Sequence, residues 1–353
     1  MKSWEQNIRK VEPYVPGEQP QEQNIIKLNT NENPYPPSPG VYEVQKSIDV
    51  NRFALYPDPS AGKLVRKLEQ YYGLEEGQVF VGVGSDDVLS MAFLTFFNSD
   101  KPILFPDITY SFYPVWADVY RIPYECPPLD ENFHIRPEDY TRENGGVVIA
   151  NPNAPTSIGM GLQEIEEIIK ANQDVIVIVD EAYVDFGGET ALPLLEKYEN
   201  LLVIRTYSKS RSLAGMRIGF AMGNKRLIRA MMDVKESINS YTMTQESIEI
   251  GAASLEDEDY FQENLQKVMA TRQRCKSELE KRGFFVLDSR TNFLFARHET
   301  VSGEVLFEEL RKKKIYVRHF GGERIKEYLR ITIGTDEQMN QFLCAIDEII
   351  ESL

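Results

Sequence analysis

Five short apolar runs, at 79–83, 102–105, 147–150, 175–179 and 201–205, are rich in β-branched residues and show no alternation with polar ones. A strand with one wet face alternates apolar and polar residues, whereas an unbroken run implies burial on both faces. Helix-length amphipathic segments separate the runs, as at 61–72, 86–97 and 162–171. Buried strands alternating with helices predict an α/β fold built on a largely parallel sheet. In such sheets ligands collect beyond the carboxyl ends of the strands, so the residues that follow each run are the candidates for chemistry.

The pattern changes after about residue 255. A long polar helix is expected at 257–282, followed by FFVLDSRTNFLFAR, a helix at 301–313, IYVR, YLRITIG and a last helix at 336–353. This α+β arrangement suits a second, smaller unit. The first 40 residues are rich in Pro, Asn and Gln and read as an extended arm or loop. The expected division is an arm at 1–30, a large unit at 31–254 and a small unit at 255–353, with a ligand cleft between the last two.

Composition removes several classes of function. A net charge of −16 opposes nucleic acid and anionic membrane surfaces. No run of about 18 apolar residues is present to span a bilayer. The N-terminal MKSWEQNIRKVEPY has no apolar core of the kind a signal peptide carries. Three scattered cysteines without a CxxC, and three isolated histidines, fit a reducing cytoplasm and no metal site.

Three strand ends carry chemistry. VFVGVGSDDVL (79–89) ends a strand in Gly82 and Gly84 and opens a helix near Ser85 and Asp86. Such a turn admits a phosphate, although glycines also close strand-to-helix turns for structural reasons alone. It lacks the third glycine and the ribose-binding acid of a dinucleotide fold, which disfavours a plain nucleotide-binding protein. VIVIVDEAYVDF (175–186) places Asp180 at the end of a buried strand, where a carboxylate is costly unless paired. A ring nitrogen that must stay protonated is one partner, and a strand-end cap is the bland alternative. Tyr183 either faces the same ligand or packs. RTYSKSRSLAGMRIGF (205–220) puts Lys209 beyond the next strand end, between Ser208 and Arg217, a pair suited to gripping phosphate. A lysine enclosed near other cations has its neutral amine favoured, which makes it an imine-forming nucleophile. Phosphate turn, strand-end acid and lysine together are the requirements of pyridoxal phosphate.

With LYPDPSAGKLVRKL, NPNAPT and YLRITIGT added, these stretches resemble, in order along nearly the whole chain, the fold-type I pyridoxal-phosphate aminotransferases, specifically the histidinol-phosphate aminotransferase branch. The resemblance implies a mostly parallel seven-stranded sheet between helices, a smaller α+β domain and a homodimer. It implies transamination between histidinol phosphate and 2-oxoglutarate, with glutamate as the second product. Lys209 would bind the cofactor aldehyde and act as general base, Asp180 would hold the pyridine nitrogen protonated, and Tyr183 would bond the phenolic oxygen. Ser85, Asp86, Ser208 and Arg217 would hold the phosphate, and Tyr110 would stack on the ring or serve as a core tyrosine. Tyr56 would reach the cofactor phosphate of the neighbouring subunit. Arg330 would grip the anionic end of the substrate, supported by Arg318 unless that residue sits in a surface salt bridge. Tyr14, Asn31 and Asn33 would contact substrate. One departure stands out: where the family commonly shows Asn-Asn-Pro-Thr-Gly, this chain reads Asn153-Ala154-Pro155-Thr156-Ser157. Ala154 cannot bond the phenolic oxygen, so Asn153 is expected to turn inward. Threonine-phosphate decarboxylases and aromatic aminotransferases share most of these positions and are the competing readings.

Overall fold

The computed structural model describes residues 2–352, so Met1 and Leu353, at the ends of the expected arm and last helix, lie outside the described residues. In chain order the strands are β1 (Ile26–Lys27), β2 (Val79–Gly82), β3 (Ile103–Leu104), β4 (Tyr124–Glu125), β5 (Gly146–Ala150), β6 (Val177–Asp180) and β7 (Leu201–Thr206). They continue with β8 (Gly219–Gly223), β9 (Phe284–Val286), β10 (Phe293–His298), β11 (Ile315–Tyr316), β12 (Arg318–His319) and β13 (Leu329–Thr332). Seven of them form one sheet in the order β2-β8-β7-β6-β5-β3-β4. All neighbours in it run parallel except β8, which lies antiparallel between β2 and β7.

The unbroken apolar runs have the physical cause expected of them. Along β5, β6 and β7, Val147, Ile149, Val177, Val179, Leu201 and Val203 enter one core, and Val148, Ala150, Ile178, Leu202 and Ile204 enter the other. The first core is closed by helices Gly62–Tyr72, Leu162–Ala171 and Gln245–Ala253. The second is closed by Ser85–Phe96, Phe112–Tyr120 and Lys225–Ile238. With both faces covered, the sheet's free chemistry is confined to its ends.

A four-stranded antiparallel sheet, β12-β13-β10-β9, builds a third core with helices Glu258–Glu280, Gly303–Lys312 and Asp336–Ser352. Leu28 and Phe186 are buried in this core too. The N-terminal segment is tied to the elements around this sheet: β1 pairs with β11 in a separate two-stranded sheet, and Glu18 forms an ion pair with Arg311 of helix Gly303–Lys312. Helix Pro39–Ser47, strand β8 and the three helices Phe112–Tyr120, Lys225–Ile238 and Gln245–Ala253 have no counterpart in the sequence reading. Of these, Phe112–Tyr120 is apolar on most sides because it is wedged among Phe93, Phe105 and Tyr110, which hides its period. No helix among the described residues is long and apolar enough to cross a membrane.

Candidate active site

The carboxyl ends of β2, β5, β6 and β7 share one edge of the large sheet. Because β8 is reversed, its amino end joins them, with Gly219 opposite both Gly82 and Thr206. A cavity of about 230 Å³ opens on this edge. It is lined by Tyr14, Asn31, Ser85, Asp86, Tyr110, Asp180, Tyr183, Ser208, Lys209, Arg217, Arg318 and Arg330. Three expected site residues are not brought there: Asn33, Tyr56 and Asn153.

One pole of the cavity is built for an anion. Gly84 has φ +88°, and a Cβ on it would lie 2.5 Å from Arg217 Nη2. Glycine therefore lets the Arg217 guanidinium close over the start of helix Ser85–Phe96, whose first N–H groups and dipole favour negative charge. Arg217 itself sits at φ +52° and reaches Asp86 Oδ2 at 3.4 Å. Ser208 is buried beside it, with its hydroxyl 3.0 Å from Thr206 Oγ1.

Asp180 occupies the floor. It is 5% exposed, and its Oδ2 accepts from Tyr113 Oη at 2.8 Å while Oδ1 accepts from Ala182 N at 3.2 Å. The neighbouring Arg205 pairs instead with Glu181 at 2.8 Å, so Asp180 has no cationic partner among the described residues. Burial, only partly offset by the Tyr113 and Ala182 donors, pushes its carboxyl from 3.8 up to about 6. A cation delivered by a ligand would reverse that shift. Lys209 Nζ is bonded to Thr30 O at 3.1 Å and lies 5.8 Å from the centre of the Tyr183 ring. No carboxylate pairs with it among the described residues, so its amine is not tied up in an ion pair.

The same cavity holds a second anion site. Arg318 and Arg330 are register partners on β12 and β13. Like charges directly opposite on neighbouring strands repel, unless an anion sits between or beside them. Neither has a carboxylate partner among the described residues. Arg318 bonds only the backbone oxygens of Val15 and Pro16, and Arg330 Nη2 donates to Asn29 O at 2.9 Å. Arg330 Nε is buried without a partner among the described residues. Burial, with Arg318 nearby, lowers the Arg330 pKa from its ordinary value. The salt-bridge alternative for Arg318 is thereby excluded within the described chain.

Tyr110 lines the wall. Its hydroxyl donates to Asp86 Oδ1 at 2.8 Å, and burial followed by the Asp86 charge raises its pKa well above the ordinary value. Its edge packs on Tyr113 and Trp116, and Tyr14 stands 6.3 Å away, stacked on Phe112.

Two of the three, Asn153 and Asn33, are held away by their own hydrogen bonds, whereas Tyr56 was expected at the neighbouring subunit's site and not in this cavity. Asn153 is buried with its amide saturated: Oδ1 accepts from Thr109, and Nδ2 donates to Ile108 O and Thr156 Oγ1. It does not turn inward, and Ala154 presents a methyl to the cavity in its place. Asn33 staples the loop from behind, donating to Lys209 O and Ser210 O at 3.1 Å. Tyr56 is 81% exposed and stacks on Tyr241, outside the cavity of its own chain. Sequence reasoning missed Tyr113, Gly219 and Thr332. Tyr113 had a signal, since it lies three residues beyond Tyr110 and one helical turn brings both to one side.

The donor set fits pyridoxal phosphate. A glycine-lined arginine cradle takes a phosphate, an unpaired buried carboxylate takes a ring cation, and a lysine amine stands free of acids. The model of the family "Aminotransferase class I and II" matches residues 23–346. A histidinol-phosphate aminotransferase of Lactococcus lactis subsp. cremoris is 51% identical over 99% of this chain and 98% of its own length. One of Clostridium acetobutylicum is 50% identical over 99% of both. In fold, the chain is similar to a histidinol-phosphate aminotransferase of Sinorhizobium meliloti in complex with pyridoxal-5'-phosphate. There the TM-score is 0.85 at 23% identity, covering 93% of this chain and 91% of the other. A β8 reversed beside the phosphate turn, a lone strand-end carboxylate and a free lysine amine on one sheet edge agree with that kinship: the chain belongs to the class I and II aminotransferases, enzymes that work with pyridoxal 5'-phosphate.

Proposed function

We propose that this enzyme transfers the amino group of L-histidinol phosphate to 2-oxoglutarate, giving imidazole acetol phosphate and L-glutamate. The observation that carries the reading is the presence of two anion sites in one cavity, Arg217 with the glycine turn on the large sheet's edge and Arg318 with Arg330 on the small sheet. The first suits the cofactor phosphate. The second suits the phosphate of one amino donor and the carboxylate of the other, which explains how a single pocket serves both halves of a ping-pong cycle. The curated relatives at about 50% identity, which carry this activity in their names, support it.

Bound in the cavity, pyridoxal phosphate supplies an electron sink that makes the proton on the amine-bearing carbon removable. The chain does the rest. Ser85, Asp86, Ser208 and Arg217 hold the phosphate end, and Tyr110 walls the ring. Asp180 keeps a positive charge on the ring nitrogen, since an unpaired buried carboxylate stabilises any cation brought to it. Lys209 is the residue that would hold the cofactor covalently, and its amine would move the proton off the substrate carbon and back. Tyr183 bonds the phenolic oxygen, and Tyr14 and Asn31 border the substrate side.

We further read residues 31–254 as the cofactor-binding domain, 255–353 as the small domain and 1–30 as an arm on the latter. The working unit is read as a cytoplasmic homodimer to which Tyr56 contributes across the subunit boundary. Lys209→Ala is expected to lower turnover by at least about a thousandfold and to remove the visible band that depends on the Lys209–cofactor link. Assays with histidinol phosphate plus 2-oxoglutarate, and for CO2 release from threonine phosphate, check the substrate. Preferred turnover in the second assay would overturn this assignment while leaving the family intact.

A further inference from the structure

Residues 29–33 form a strap: Asn29, Thr30 and Asn31 line the cavity and bond to its working groups, and Asn33 holds the Lys209 loop from behind. Asn29 O accepts from Arg330, Thr30 O from Lys209 Nζ, Asn31 Nδ2 donates to Tyr183 Oη at 2.8 Å, and Asn33 donates to the Lys209 and Ser210 carbonyls. Asn31 is the fixed point of this strap. It is 1% exposed, at φ +57°, and its own carbonyl accepts from Asn292 Nδ2 at 2.9 Å.

Its hydrogen bonds have only one consistent direction. The Asn31 backbone N–H donates to Thr332 Oγ1 at 3.0 Å, so that hydroxyl is an acceptor there and its own proton goes to Asn31 Oδ1, also at 3.0 Å. The two ends of an amide are told apart by their partners. With Oδ1 committed to Thr332, the end facing Tyr183 is the NH₂, which can only donate. The Tyr183 oxygen is then an acceptor, and it has no other partner among the described residues. A phenol that accepts from one side still carries one proton to give, and here the only direction left for it is the cavity.

We propose that Asn31 is a positioning residue which, through the Thr332–Asn31–Tyr183 relay, commits the Tyr183 proton to the bound cofactor. The inference rests on the aminotransferase reading, in which Tyr183 serves the phenolic oxygen. It also assigns work to a second residue of the YLRITIG stretch, two positions beyond Arg330: Thr332 lies on β13 of the small sheet, so that sheet sets a proton on the large sheet's edge.

The test uses the holoenzyme and the pH titration of its visible band. Withdrawing a donor from the cofactor's phenolic oxygen leaves more negative charge on it. That charge holds a proton on the adjacent nitrogen, so the titration midpoint rises. Asn31→Asp is nearly isosteric and tolerates a positive φ, but its carboxylate makes Tyr183 donate backwards. Thr332→Val keeps the shape, adds no charge and frees the amide to rotate. Each is expected to raise the midpoint by about half a unit to one unit, the size of one redirected hydrogen bond. In a Tyr183→Phe background the Thr332→Val shift should vanish, and Asn31→Asp should keep only the part due to its charge, as a double-mutant cycle reads out. An unchanged midpoint in both variants, or a Thr332→Val shift that survives Tyr183→Phe, overturns the proposal. A wild-type protein with no visible band bleached by hydroxylamine would instead overturn the cofactor reading beneath it.

Discussion

Burial strips the Asp180 carboxylate of water, and the Tyr113 hydroxyl and Ala182 N–H replace that water only in part. Its folded-state value of about 6 lies above the ordinary 3.8. In the cofactor-free protein the native state therefore keeps a proton that the unfolded chain has lost, across the interval between those values. A group raised in this way stabilises the fold most at low pH and loses that contribution as pH climbs through about 6. Above it, charged Asp180 costs on the order of 3 kcal/mol. Asp180→Asn should remove the slope, so that urea unfolding of the two apo-proteins at pH 4 to 8 gives a stability difference that grows toward neutrality and then levels. A difference independent of pH would show that Asp180 is not the uncompensated charge in the cavity. Asp180 and Lys209 were legible in the sequence because a buried run fixes where its strand ends. Asn153 and Asn33 were not. Which way a loop amide points is decided by distant partners, Thr109 and Ile108 for one and the Lys209 and Ser210 carbonyls for the other.

Strand β8 shows how an element with a weak sequence signal governs the site. GFAMG has glycine at both ends and three apolar residues between, too short to distinguish from a turn by periodicity. Its antiparallel insertion between β2 and β7 is a tertiary fact, and it carries Arg217 to the phosphate turn from the opposite chain direction. Gly219, its first residue, is packed so closely that a Cβ would lie 2.3 Å from Gly84 C and Ser85 N. Those are backbone atoms with no rotamer to yield, so Gly219→Ala must move the turn itself. The overpacking should cost about 1–3 kcal/mol of stability. Displaced N–H donors should weaken cofactor binding by roughly 10- to 100-fold. Titration of pyridoxal phosphate into the apo-variant measures this, and wild-type affinity would mean the turn has room to spare. By contrast, β5, β6 and β7 were readable from sequence because each feeds two cores at once, which keeps polar residues out until the carboxyl end of the strand, where Asp180, Arg205 and Thr206 stand.

At the scale of the molecule, a chain of net charge −16 binds anionic substrates only because Arg217, Arg318 and Arg330 gather in one cavity. What lies outside that cavity is as telling. Val50, Phe53, Leu55, Tyr56, Ile238 and Tyr241 are large apolar side chains left exposed along two segments that meet where Tyr56 stacks on Tyr241. Exposed apolar side chains of this kind suit an interface, and an isologous dimer would bury the same patch from both sides. Such a pairing gives Tyr56 a destination that its own chain does not offer. If the site is shared, two damaged subunits can repair each other. Lys209→Ala and Tyr56→Phe chains, mixed under conditions that allow subunit exchange, form hybrids. In these, one site joins an intact Lys209 to an intact Tyr56. Activity of the mixture should then exceed the sum of the two parent proteins at the same concentrations, and should rise with the time allowed for exchange. Purely additive activity, in a mixture whose hybrids are demonstrated by mass, would place Tyr56 outside the neighbouring site and leave the apolar patch a purely structural contact.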